Sequence, residues 1–156
     1  MNKGKLISIF KFLGGINIAK VTNKEVRSAI ISNHLMMYRI ALEHDEDIKE
    51  LQKKLFEGKD EEIMALNNLR EEYRNAKEEE KKAEILKKVI EEHTPLLQLE
   101  AEFSNEIGKK LEEEKEVNLK KVAQADFVDT CVEAGVDITP SDLIALEDLF
   151  NDNDNN

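Results

Sequence analysis

The chain has 156 residues, enough for one domain with a modest core, and its 37% charged against 5% aromatic residues is the composition of long solvated helices. Charge is spread unevenly within the net −11: residues 1–27 hold six bases and one acid, and residues 122–156 hold nine acids and no base. The acidic bulk would repel duplex nucleic acid, which argues against direct nucleic-acid binding, and no stretch has the ~18 consecutive apolar residues of a membrane span.

The opening MNKGKLISIFKFLGG pairs early lysines with a short apolar run. Lys11 interrupts that run and no small-residue cleavage site follows, so the pattern departs from a secretory signal. Residues 1–13, with Lys3, Lys5 and Lys11 beside Leu6, Ile9, Phe10 and Leu13, offer an amphipathic segment at a membrane surface as a lesser alternative, and a membrane partner is not the one expected.

TNKE at 22–25 reads as a capping box, with Thr22 as the acceptor and Glu25 reaching back. It predicts a first long helix over 22–57. Ile30, His34, Met37, Ala41, His44, Ile48, Leu51 and Leu55 follow alternating four- and three-residue steps along it, a heptad seam. Gly58 is placed for a left-handed cap at its end. A second helix over 60–114 follows, with Ile63, Leu66, Leu69, Tyr73, Leu86 and Ile90 on one side. Pro95 is expected to kink or break it, because proline removes one backbone donor and restricts the preceding residue. The short connection at 57–60 makes an antiparallel neighbour of this helix. The fold class expected is therefore mainly α: an elongated antiparallel helical hairpin.

Two similar strings, INIAKV at 16–21 and VNLKKV at 117–122, suggest a two-stranded β ribbon at the base of that hairpin. Residues 115–150 then form a strand and a small C-terminal helical foot. One foot helix is stopped by Gly135, and another is opened by Thr139 as cap, Pro140 at its first position and Asp142 at its third. A single domain over 1–150 results, with NDNDNN at 151–156 a disordered tail.

Catalytic chemistry has little to build on. His34 and His44 share the first helix's seam, but ten residues separate them by roughly 15 Å, too far for one ion. Cys131 is the lone cysteine and stands among Asp126, Asp129 and Glu133, which oppose a thiolate. No Gly-rich phosphate loop, G-x-S-x-G elbow or H-E-x-x-H occurs. No enzyme activity, catalytic residue, cofactor or metal is expected. The acidic foot, with bases absent, is instead the place where a partner's basic cleft could be occupied. Asp137, Asp142, Leu143, Leu146, Glu147, Asp148 and Leu149 are the candidate interaction residues.

The order NKEVRSAIISNHLMMYRIALEHDEDIKELQKKLF, FSNEIGKKLEEEKEVNLKKV and DITPSDLIALEDLF resembles small helical proteins of tailed phages and prophages. The strings cover a little under half of the chain. The N-terminal MNKGKLISIFKFLGG and the insertion AKEEEKKAEILKK depart from the group's pattern. The resemblance implies a context: the cytoplasm of a bacterial host cell or the virion, and a phage structural protein or host protein as partner. Three functional expectations follow. The first is a non-enzymatic interaction protein of virion assembly or host takeover, whose seam, where exposed, would be covered by forming a homo-oligomer. The others are an acidic inhibitor of a host nucleic-acid-binding protein and a peripheral membrane-associated helical protein.

Overall fold

A computed structural model describes residues 1–151; the expected tail lies, from residue 152 on, outside the described residues. The described chain is mainly helical: α1 (Lys3–Gly14), α2 (Lys24–Phe56), α3 (Asp60–Asn75), α4 (Glu79–Leu111), α5 (Gln124–Ala134) and α6 (Pro140–Ala145), with 3-10 turns at Ile18–Lys20 and Glu147–Leu149. It divides into two compact units, one of Met1–Asp45 with residues 110–151, the other of Glu46–Lys109.

In the first unit, the apolar positions of α1 recur at helical spacing, and Leu6, Ile9 and Leu13 enter the core. The inward side of α2 adds Val26, Ala29, Ile30 and Met37, and the chain after Leu111 adds Val122, Phe127, Cys131, Leu146, Leu149 and Phe150. Phe127 lies at the centre, 1% exposed, with ring contacts to Phe12 at 6.3 Å and Phe150 at 5.5 Å. The apolar face proposed for a membrane surface is thus packed inside the protein.

The cap of α2 differs from expectation by one residue. Asn23 accepts from the backbone N–H groups of Glu25 and Val26 at 3.0 and 3.1 Å, while the Thr22 hydroxyl donates to Glu133 at 2.8 Å. Asparagine caps at least as well as threonine, which frees Thr22 for that tertiary bond. Gly58 does adopt a positive φ of 76° after α2, and Gly135 one of 73° after α5. Thr139 and Asp142 form the reciprocal capping box of α6, with Pro140 at its start.

The two-stranded ribbon does not form. Residues 18–20 wind into a 3-10 turn because the Asn17 side chain accepts from the Ala19 N–H at 3.1 Å, a local bond that competes with a ladder. Val122 forms an isolated parallel bridge with Phe150 instead, bonding to the Leu149 carbonyl at 2.9 Å and accepting from the Asn151 N–H at 3.0 Å. Lys120 is held by a side chain: Asn33, 2% exposed, accepts from its N–H at 2.8 Å and donates to its carbonyl at 2.9 Å.

Residues 1–3 pair with 113–115. The Lys3 N–H bonds to the Glu113 carbonyl at 2.8 Å, the Lys115 N–H to the Met1 carbonyl at 2.9 Å, and Asn2 and Glu114 form an antiparallel bridge. Beside this crossing, Glu43 takes Lys115 at 2.9 Å and the fully buried Lys3 at 3.3 Å. The Lys115 hydrogen bond, opposed by burial and reinforced by Lys3, holds the Glu43 carboxyl below its ordinary value. A depressed carboxylate stabilises the fold above its unfolded-state pKa, and that contribution fades as pH falls through the folded-state value. Glu43→Gln should therefore lower stability near neutral pH by about 1 kcal/mol at most, since Glu43 is 46% exposed and screened. Thermal melts of both proteins should converge below pH 4; a constant gap would show that the charge is not what Glu43 contributes.

In the second unit, α3 and α4 pack in opposite directions, as shown by Tyr73 near Lys82 and by Arg70 in a bidentate pair with Glu100 at 2.9 and 2.5 Å. Leu69, Ala76 and Ile85 form its small core, and Phe56 meets Phe103 at 5.8 Å. Of the kink or break expected at Pro95, the break does not occur there. Pro95 sits inside α4, exposed, where the carbonyl it leaves unpaired can be hydrated. The interruption comes at residues 76–78, where Ala76 is extended at φ −70°, ψ 132°. Glu79 and Glu80 follow in the first turn of α4, where the helix dipole favours acids.

Candidate interaction surfaces

The C-terminal residues singled out from the sequence do not share one surface. Leu146 and Leu149, each 2% exposed, belong to the first unit's core, and Leu143 packs half-buried against it. Asp142 is occupied at the N-terminus of α6, where bonds from the Thr139 hydroxyl and backbone hold its carboxyl below the ordinary value. Glu147 and Asp148 engage Lys5 at 3.0 and 2.5 Å, and the Asp148 contact raises the lysine's pKa. Asp137 is exposed, as are Asp126 and Asp129, and none of these three has an ion-pair partner among the described residues.

Histidine and cysteine are placed as packing groups. The His34 ring stacks on Phe10 with centroids 4.2 Å apart and planes 15° from parallel. Gly14 permits this approach, because a Cβ there would come within 3.1 Å of His34 Nε2. His44 Nδ1 is buried without a hydrogen-bond partner among the described residues. Cys131 is fully buried, and desolvation, with Asp142 adding repulsion, pushes its thiol up to about 11, leaving it protonated at neutral pH. No group of three or more potential metal ligands occurs among the described residues. No helix among them is long and apolar enough to cross a membrane.

Among the described residues, two groups of apolar side chains stand exposed at helical spacing or around a groove. In the second unit, Leu69, Tyr73, Ile85, Leu86 and Val89 line an open groove of about 440 Å³, with Arg70 and Arg74 at its edge. In the first unit, the side of α2 opposite its buried face carries Ile31, Leu35, Tyr38 and Leu42, which are 41, 67, 49 and 43% exposed. Their spacing of four, three and four residues places them on one stripe, because a helix turns once in 3.6 residues. α2 between residues 26 and 42 is consequently apolar on two sides. A helix of that kind is normally covered on both.

Sequence reasoning missed this stripe although its signal was present. The seam through Ile30, His34 and Met37 and the stripe through Ile31, Leu35 and Tyr38 have the same period and differ by one residue in phase. Periodicity identifies both and ranks neither. No known protein-family model, curated protein or solved structure matches the chain.

Proposed function

We propose that this is a non-enzymatic interaction protein of phage or prophage type, acting through protein–protein contacts in virion assembly or host takeover. The observation that carries the reading is the outer face of α2. Four large apolar side chains stand there at helical spacing, 41 to 67% exposed, on a rigid element whose other side is anchored in the core. Water contact with such a face is unfavourable by roughly 25 cal/mol per Å², which a partner surface would relieve. The phage context rests on the resemblance of the three sequence strings.

A second reading, the acidic inhibitor of a host nucleic-acid-binding protein, is favoured by Asp126, Asp129 and Asp137, exposed and without ion pairs among the described residues. It is weakened by the engagement of Asp142, Glu147 and Asp148 within the fold. The membrane reading loses its main support, because Leu6, Ile9 and Leu13 occupy the core.

A tagged pulldown from phage-infected or prophage-induced bacteria, washed in parallel at low and high salt, separates the first two. Phage structural proteins retained at high salt by the intact chain, and lost with Leu35→Glu, are the expected result. A host nucleic-acid enzyme released by salt and insensitive to Leu35→Glu would overturn it in favour of the inhibitor.

A further inference from the structure

The pair of helices α3 and α4 has two unlike sides. One side of α3 presents Leu69, Arg70, Tyr73 and Arg74 to the apolar groove, and the other presents Asn68, Glu71, Glu72 and Asn75 to a polar hollow. At 100° per residue the two sets centre about 180° apart, as on an amphipathic helix. The apolar side is incompletely covered. Leu69, Ala76 and Ile85 are buried, Tyr73 and Val89 are half-buried, and Leu86 and Ile90, one turn apart on α4, are 47 and 62% exposed. Two packed helices bury only the stripes that face each other, and a third helix laid along their groove covers the rest.

Charge selects the kind of helix. Both charged residues that line the groove are arginines, in a chain whose net charge is −11. Arg70 is held in its bidentate pair with Glu100, whereas Arg74 is exposed and has no ion-pair partner among the described residues. Glu71 and Glu72, close to Arg74 in sequence, line the polar hollow and not the groove. An occupant therefore needs large apolar side chains for the strip and carboxylates beside them for Arg74; a basic flank would meet like charge.

We infer that this groove takes an amphipathic helix of a partner protein, its apolar side chains seated against Tyr73, Leu86 and Val89 and its acidic flank against Arg74. A small ligand is held by a pocket that encloses most of its surface, whereas Leu86 and Ile90 continue the apolar lining along α4 as an open strip. An open strip is read by anchors at three- and four-residue spacing, the mode in which a helix docks into a groove. The site lies in the second unit and uses none of the residues of the α2 stripe, so the inference goes beyond the interaction reading above and does not rest on it.

The probe is a synthetic peptide of about sixteen residues, long enough to populate a helix, with leucines at helical spacing and glutamates along one flank. Its counterpart carries lysines at the same flank positions. Binding of each to the full chain is measured by fluorescence anisotropy at low and high salt. The acidic peptide should bind several-fold more tightly at low salt, and the preference should shrink at high salt. Arg74→Glu should reverse the preference. Leu86→Asp and Ile90→Asp, both at exposed positions, should each weaken the acidic peptide about tenfold or more while leaving the circular dichroism spectrum of the chain unchanged. Leu35→Glu, in the first unit, should leave peptide binding intact. Failure to bind either peptide, equal affinity for both, or indifference to Leu86→Asp would overturn the inference. Self-association of the chain that Leu86→Asp abolishes would overturn it too, by giving the groove to a second copy. Capture of a phage protein that depends on Leu35 is scored separately, so the interaction reading stands or falls without the groove.

Discussion

Phe127→Ala should lower the stability of the protein by about 3–5 kcal/mol, the range for removing a fully buried aromatic side chain. Phe127 is 1% exposed and stands where three parts of the chain meet: Phe12 from α1, Phe150 from the C-terminal segment, and α5, which carries it. Truncation removes the apolar transfer energy of the ring and leaves a void that Phe12 and Phe150 cannot both fill. The surrounding residues belong to different segments of the chain, so collapse of one side opens the other. For a chain of this length, the melting temperature should fall by roughly 10 °C or more. Thermal unfolding followed by circular dichroism at 222 nm checks this. Phe127→Leu, which preserves part of the volume, should recover about half of the loss. Equal losses for both substitutions would mean that the ring contacts, not the filled volume, hold this region.

Asn33→Asp should be the more instructive change, because it alters one atom and makes stability depend on pH. The Asn33 amide satisfies both backbone groups of Lys120, accepting at 2.8 Å and donating at 2.9 Å, from a position 2% exposed. An ionised aspartate can still accept from the Lys120 N–H. Its second oxygen, however, would face the Lys120 carbonyl, acceptor against acceptor. Burying that repulsion together with an unpaired charge should cost about 2–4 kcal/mol at neutral pH. A protonated aspartic acid can donate to the same carbonyl, so the folded state favours the neutral form and raises the pKa of the new group. A raised folded-state pKa means that the variant binds a proton more tightly folded than unfolded. Its deficit relative to the parent should therefore grow as pH rises through the carboxylate range and shrink on acidification. Chemical denaturation of both proteins from pH 4 to pH 7 would show this. A pH-independent deficit would mean that the side chain at 33 faces water in solution.

The local grammar of the chain was legible before any tertiary contact was considered. Gly58 and Gly135 take the left-handed conformation expected of helix ends, and Thr139, Pro140 and Asp142 begin α6 in the expected order. The inward seam of α2 was legible for the same reason: Ile30 and Met37 recur at the period of the helix and are buried. Such features depend on residues within one or two turns of each other, where backbone geometry and side-chain capping have few alternatives.

What the tertiary structure decided involved competition between partners distant in sequence. The strings at 16–21 and 117–122 look alike, but Asn17 closes a local turn while Asn33 and Leu149 supply the hydrogen bonds a ribbon would have made. Pro95 signals a kink or a break, but on an exposed face the helix continues through it and the interruption comes at residues 76–78. The acids of the foot look free, but Lys5, 142 residues from Glu147, occupies two of them. The same holds for the two apolar stripes of α2. The sequence by itself determined that both exist, since each follows from helical period alone. Only the packing of α1 and of the chain after residue 111 decided which one is buried, because that choice depends on surfaces that meet only when the whole core closes.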